Sequence, residues 1–481
     1  MLNLEPLTQS LSPLALVQER FSLLNISAEI RIVDNQEVSD VLAGIKNDIS
    51  LYKRPEGQLL IRQYIETIPA ATKPKEIIEQ FLVSPSTHIY DQIAFSPLKT
   101  PSTTLNYWRG STVTPSPGEW SVLRDFLYEV ICNEDLELFQ YLLRYLAHML
   151  QRPEEKPSIA IVMLSKSGCG KGTFFQLLDA IWSKSTLEVS DINQVIGTFN
   201  AALEKHFCIC CDESLFRGDK ASMERFKSMI SEPTIRVEQK YQPSRTIESY
   251  HRFFAASNSE HFANIPIDDR RFVFIRVSDR RQQDLIYFDL IHKAINNPNV
   301  ISAFVYDLFA MDIKNFQVRQ RPITHEHLNQ RLQSLEGFER FWLEVLETGK
   351  FRTKPTGIYS SSETDWDDSI FISTQTIMDC YSHYDKNANR YEPLQTQKIA
   401  KTLQRICPSA KGVRVKITSG KQERGYTLPA IEIARDEFES TIKTKINWDN
   451  HTPETQEPEY DDEYDFDLLY DTMKENASGA I

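Results

Sequence analysis

The sequence predicts an α/β fold built around a mainly parallel sheet. Three observations carry that expectation. Apolar, strand-like runs at 159–164, 207–211, 252–257 and 272–277 alternate with helical segments. The first run leads into Ser165-Lys166-Ser167-Gly168-Cys169-Gly170-Lys171-Gly172-Thr173, a Gly-rich turn that opens onto the helix start Phe174-Phe175-Gln176-Leu177-Leu178. The second run ends in two carboxylates, Asp212 and Glu213.

A strand, a glycine turn and a helix N-terminus make a phosphate cradle. Backbone N–H groups and the helix dipole point at the anion, and a lysine adds charge. Ser167, Gly168, Cys169, Gly170, Lys171, Gly172 and Thr173 are therefore expected to hold a nucleoside triphosphate such as ATP. The loop departs from the G-x-x-x-x-G-K-[ST] pattern twice: Ser165 replaces the first glycine, and Gly172 follows the lysine. Thr173 comes one place late, rotated by about 100° on a helix of 3.6 residues per turn. It reaches either the Mg²⁺ or a phosphate.

Three further elements follow. Asp212-Glu213 is expected to act as such strand-end pairs do, the aspartate holding Mg²⁺, directly or through water, and the glutamate polarising the attacking water; alone, an exposed Asp-Glu pair after a strand is common. The third run ends in Ser257-Asn258-Ser259, where an amide can orient water and sense the γ-phosphate; alone, such an asparagine is a turn former. Asp268-Asp269-Arg270-Arg271 precedes the fourth run. An arginine there either completes a neighbouring subunit's site or belongs to a surface ion-pair cluster. Between the carboxylates and the asparagine, two alternating stretches flank Tyr241-Gln242-Pro243-Ser244 and predict a hairpin. Lys240, Tyr241 and Arg245 near its tip suit a single-stranded backbone.

The chain has 481 residues, 41% hydrophobic and 25% charged, enough for two to four domains with a sizeable core. No apolar run approaches the roughly 20 residues of a membrane helix, and no signal-peptide pattern opens the chain. A cytoplasmic, membrane-free protein is expected. Three of seven cysteines crowd into Cys208-Ile209-Cys210-Cys211, which predicts small buried side chains in a reducing compartment. A structural zinc would need a second Cys/His pair at ligand spacing.

The net charge of −13 is uneven. Most of it lies in an acidic tail beyond Asp449, leaving a near-neutral body. Against that background Lys398, Lys401, Arg405, Lys411, Arg414, Lys416, Lys421 and Arg424 form a positive patch suited to DNA, or else a solvated face. The expected organisation is an accessory region over 1–92, a linker and helical oligomerisation segment over 93–155, and a nucleotide-binding core over 156–285. A helical lid and linker over 286–368, a winged-helix-like domain over 369–435 and a disordered acidic tail over 436–481 complete it. The winged-helix expectation rests on two helices followed by a basic hairpin.

In this order and at this compact spacing, the elements resemble superfamily 3 helicases, nearest to the primase-associated helicases of phages and mobile elements. In that group the loop often reads Gly-x-Gly-Lys-Gly and the arginine pair Asp-Arg-Arg-Phe, as at 168–172 and 269–272 here. Leu105-Asn106-Tyr107-Trp108-Arg109-Gly110 and Ala147-His148-Met149-Leu150-Gln151-Arg152-Pro153 look like the segment upstream of the ATPase. Arg424-Gly425-Tyr426-Thr427-Leu428-Pro429 resembles the end of the winged-helix domain. The similarity spans residues 93–435.

The resemblance implies an AAA+-like P-loop subunit with ATP and Mg²⁺ as cofactors. It implies a homo-oligomeric ring, commonly a hexamer, acting on single-stranded and forked DNA. Lys171 would bind phosphate, Asp212 the metal and Glu213 the water. Asn258 would be the polar sensor and Lys240 the DNA-gripping residue. Arg270 or Arg271 would be the arginine finger, with Arg271 preferred for its place before Phe272. The expected activity is an ATP-dependent DNA helicase in replication of a phage or mobile element, in a bacterial cytoplasm. Many relatives carry a fused primase–polymerase; the residues before 93 are too few for one, so a separate primase is an expected partner. Two alternatives are a DNA-binding regulatory ATPase that does not unwind and a P-loop kinase, whose loops share Gly-Lys-Gly-Thr.

Overall fold

The structure, a computed structural model, describes residues 12–26, 29–43, 45–46, 48–69, 73–212, 220–238, 244–259, 262, 269–352, 363–387, 396–416, 422–448 and 452–453. Its centre is a five-stranded parallel sheet of β1 (Ala160–Leu164), β2 (Thr186–Val189), β3 (Cys208–Cys211), β4 (Arg252–Ser257) and β5 (Phe272–Arg276). The spatial order is β5-β1-β4-β3-β2, and every neighbouring pair runs parallel. Four strands are the expected runs. β2 is an addition: Thr186-Leu187-Glu188-Val189 is a short, half-polar edge strand without a continuous apolar signal.

The central strands are buried throughout and mostly apolar because both faces are covered, as parallel sheets require. Alternation divides them between two cores. Ile161, Met163, Phe254, Ala256, Val273 and Ile275 join the core containing helices Leu136–Gln151 and Lys171–Ile181. Val162, Leu164, Ile209, Ala255, Phe272 and Phe274 face helix Lys220–Ser231. Each such side chain contributes about 1.5–3 kcal/mol by leaving water. All seven cysteines are buried with free thiols, three of them on β3.

Helix Leu136–Gln151 lies in the segment 93–155 and packs inside this chain. Asp135 caps it, accepting from the Leu138 N–H at 2.9 Å. The helix is apolar nearly all round and buried within this chain. The Gln151 side-chain amide donates to the carbonyls of Leu308 and Met311 at 2.8 and 2.9 Å, tying it to the end of helix Pro298–Ala310. Its apolar face is therefore consumed in cis. Just upstream, Phe126–Ile131 winds as a π-helix.

The accessory region mixes strands and helices. Strands Phe21–Ile26 and Glu29–Asp34 pair antiparallel, and Ile89–Tyr90 joins them in a three-stranded sheet packed against helices. The C-terminal unit holds helices Thr374–Asn387 and Thr396–Ile406 and a three-stranded antiparallel sheet. That sheet is ordered Ile370–Ser373, Gln422–Leu428, Lys411–Lys416. Its core draws Trp342 from helix Gly337–Thr348 and Phe438 from helix Ile431–Ile442. The unit thus crosses both expected boundaries, 368/369 and 435/436. Among the described residues, no helix is long and apolar enough to cross a membrane.

Candidate active site

The Gly-rich turn joins β1 to helix Lys171–Ile181 at the C-terminal edge of the sheet, where parallel folds bind ligands. Gly168 and Gly170 have φ of 79° and 106°, in the left-handed region that side chains avoid. A Cβ on Gly170 would also stand 3.0 Å from the Phe288 ring and 3.1 Å from Phe126 of the π-helix. Gly172 differs: a Cβ there meets nothing within 4 Å. Its departure from the usual loop pattern has no steric cause.

Lys171 is buried, and among the described residues its ammonium donates to four acceptors. It donates to Ser165 O at 2.9 Å, Ser165 Oγ at 2.7 Å, Lys166 O at 2.9 Å and Asn258 Oδ1 at 2.9 Å. Ser165, unmatched in the sequence pattern, supplies two of them. The loop is pinned from outside through carbonyls. Gly168 O accepts from Gln283 N at 3.0 Å, and Ser167 O from Gln282 Nε2 at 3.0 Å. In a trans peptide the following N–H points the opposite way. The amides of Gly168 and Cys169 are thereby turned away from this clamp, an orientation that suits an anion. Gln283 itself sits at φ 59°, and nothing in the sequence marks either glutamine.

Asn258 follows β4, which lies between β1 and β3. The structure brings Asn258 and Lys171 together as the loop and the strand-end amide required. Asp212 follows β3, two strands from β1, or about 10 Å laterally. Beside it stands Glu188 on β2, which sequence reasoning missed. Burial, then the charges of Asp212 and Asp179, raise the Glu188 carboxyl above its ordinary value. Thr173 is half committed elsewhere: its hydroxyl lies 3.3 Å from His292 Nε2. Among the other named residues, Glu213, Lys240, Tyr241 and Lys421 lie outside the described residues, as does the tail beyond 453.

Arg270 and Arg271 sit at the opposite edge of the sheet. Arg271 precedes β5, and its carbonyl accepts from Ala160 N, the first residue of β1. Six residues of strand then separate that level from Ser165, about 20 Å. Neither arginine reaches the loop of its own chain. Arg271 is also engaged: its guanidinium lies 3.3 Å from Asp269 Oδ2 and 3.4 Å from Ser231 Oγ. Arg270 is exposed and has no ion pair among the described residues. The geometry favours Arg270 over Arg271 as the arginine that projects outward.

The hairpin exists: Thr234–Val237 pairs antiparallel with Arg245–Glu248. Arg245 opens the returning strand opposite Val237, the pair that borders the connecting loop. Its fork grips buried Glu204, with Nε–Oε1 at 2.6 Å and Nη2 on Oε2. That bidentate pair engages the Arg245 guanidinium within the chain. Lys156 anchors both ends of the hairpin, donating to Glu232 O at 2.6 Å and Ser249 Oγ at 2.5 Å. Burial brings its ammonium down to about 7. At the other end of the chain, Lys398, Lys401, Arg414, Lys416 and Arg424 are exposed on the C-terminal unit, and Arg405 pairs with Glu339.

Comparison with known proteins adds the following. A family described as being of unknown function (DUF5906) matches residues 163–271, the stretch from β1 to the arginines. Among solved structures, an apo form of the C-terminal region of NrS-1 superposes with a TM-score of 0.58 at 15% identity, covering 87% of this chain and all of that one. Its A form gives 0.59 at the same identity and coverage. The likeness is one of fold. No curated protein matches the chain.

Proposed function

We propose that this chain is an ATP-dependent DNA helicase of superfamily 3 type, working as a ring in replication of a phage or mobile element. The observation that carries the reading is the Lys171–Asn258 hydrogen bond at 2.9 Å, with Asp212 on the same sheet edge and Arg270 on the opposite one. In this reading the β1 turn is a P-loop. Lys171 leaves its loop carbonyls for the phosphates, and Asn258 is left to orient water. The residues fit ATP well. Two positive-φ glycines, amides turned away from the glutamine clamp and a buried ammonium suit an anion cradle. Mg²⁺ would be held at Asp212, where it would offset charge on the transferring phosphoryl group. Thr173 fits that role poorly while His292 engages its hydroxyl.

An outward arginine some 20 Å from its own loop is useful only to a neighbour, which supports a ring of identical subunits. The basic C-terminal unit is read as a winged helix that grips duplex DNA. Steady-state ATP hydrolysis with and without single-stranded DNA tests the proposal on wild type and Lys171→Ala. Hydrolysis stimulated by DNA and lost in the variant is expected; absence of hydrolysis in wild type under both conditions refutes it. Unwinding of a forked duplex separates a helicase from a DNA-binding ATPase that does not unwind.

A further inference from the structure

We propose that the acidic segment 454–481 docks in cis on the cationic face of the C-terminal hairpin and holds it against nucleic acid. In strands Lys411–Lys416 and Gln422–Leu428, Arg414 is directly opposite Arg424, and Lys416 is opposite Gln422. Opposed residues share a sheet face with Cβ atoms about 5 Å apart, and like charges so placed destabilise the pairing. Both arginines and Lys416 are exposed, and among the described residues no carboxylate pairs with any of them. Two other cations of this unit are matched, Arg405 with Glu339 and Lys445 with Glu439, whereas Lys411 on the same edge strand is exposed like the arginines. An uncompensated arginine pair is what an anionic partner would repair.

Lys411–Lys416 is also the edge strand of its sheet, so it offers unpaired backbone groups beside those charges. An extended anionic segment could use both. Residues 454–481 carry ten acidic side chains and a single lysine, Lys474, interleaved with Tyr460, Tyr464, Phe466 and Tyr470. Carboxylates would bridge the guanidinium groups, and the rings would stack on their planes. The described chain last appears at Thr452–Pro453, paired with Ile446–Asn447. From there the segment spans up to ~95 Å if extended, against a radius of gyration of about 23 Å for a folded chain of this length. Tethering supplies an effective concentration on the order of millimolar, which favours this segment over a free acidic protein.

The docking stands on charge and geometry alone; its effect on DNA rests on the reading of this unit as DNA-binding. The test uses full-length protein with Asp461→Asn, Asp462→Asn, Glu463→Gln, Asp465→Asn and Asp467→Asn. A fluorescein-labelled peptide of residues 454–481 should bind this variant saturably at low salt and weaken as salt rises. Adding Arg414→Ser and Arg424→Ser should reduce binding at least about tenfold, with an unchanged or raised melting temperature, since opposed like charges are removed. No peptide binding, or equal binding with and without the arginines, overturns the docking. The variant should also bind DNA about three- to tenfold more tightly than wild type. Equal DNA affinity overturns the competition. If neither protein binds DNA, the DNA reading falls while the peptide titration still decides the docking.

Discussion

Lys171 Nζ donates to Asn258 Oδ1 at 2.9 Å, joining residues that follow two adjacent parallel strands, β1 and β4. The pair couples the loop to the end of the neighbouring strand. Asn258→Ala removes the acceptor while leaving Ser165 O, Ser165 Oγ and Lys166 O to hold the lysine. Nucleotide affinity should change only a few-fold, whereas the rate of hydrolysis should fall about 10²-fold. Nucleotide titration and single-turnover hydrolysis check the two halves separately; equal losses in both would refute the assigned role.

Gly170 and Gly172 should respond oppositely to alanine. At Gly170 the left-handed backbone and the Phe126 and Phe288 rings oppose a methyl group, so Gly170→Ala should cost about 1–3 kcal/mol. Gly172 lies in the first turn of helix Lys171–Ile181 with open space around it. Gly172→Ala should stabilise by about 0.5 kcal/mol. Chemical denaturation of both variants reads the contrast.

An arginine that acts in trans gives a complementation test. Lys171→Ala and Arg270→Ala should each be inactive alone. Mixed, they form interfaces that pair an intact loop with an intact arginine, and ATPase activity should partly return. Arg271→Ala should retain more activity than Arg270→Ala, because Arg271 is occupied by Asp269. No recovery on mixing would count against the trans role.

Three histidines make the fold sensitive to acid. Burial brings His251 and His327 down to about 3 and His148 to about 4. Each is neutral when folded and takes up a proton near its ordinary value of about 6.5 when unfolded. The unfolded state therefore binds more protons below that value, and stability falls as pH drops. The loss should run from pH ~6.5 toward 4, at up to about 1.4 kcal/mol per unit for each histidine. His251 is fully buried, with Nδ1 2.9 Å from Ser249 Oγ and Nε2 2.9 Å from Leu203 O. Denaturation midpoints across this pH range check the slope.

The Arg245–Glu204 pair makes a structural forecast where the sequence suggested a DNA contact. Arg245→Ala leaves the Glu204 carboxylate buried without its fork and should destabilise by about 2–3 kcal/mol. The double variant Arg245→Leu, Glu204→Leu should recover most of that loss. Selective loss of DNA affinity at full stability would contradict the assignment.

Much of the core was legible along the chain because its signals are local. Apolar runs on β1, β3, β4 and β5 and the glycine spacing are adjacent in sequence. The half-polar β2 was not legible, since an edge strand is specified by its neighbour β3 more than by its own residues. Helix Leu136–Gln151 was recognisable as apolar, but whether its partner was another subunit or Pro298–Ala310 is a matter of packing. Gln282, Gln283, Glu188 and Lys156 were missed for one reason: each acts on a group that folding brings to it from a distant part of the chain.

The sequence by itself determined the Gly-rich turn after the first strand, the placement of Asp212 and Asn258 at strand ends, and the uneven charge. These depend on residue type and short-range periodicity. Only the tertiary structure decided the strand order β5-β1-β4-β3-β2, which sets Asn258 against Lys171 and sends Arg270 to the far edge. It also pairs Arg245 with Glu204, 41 residues away in the chain. Sheet order and side-chain pairing are long-range choices, settled by which faces bury together and which charges must be compensated once water is gone.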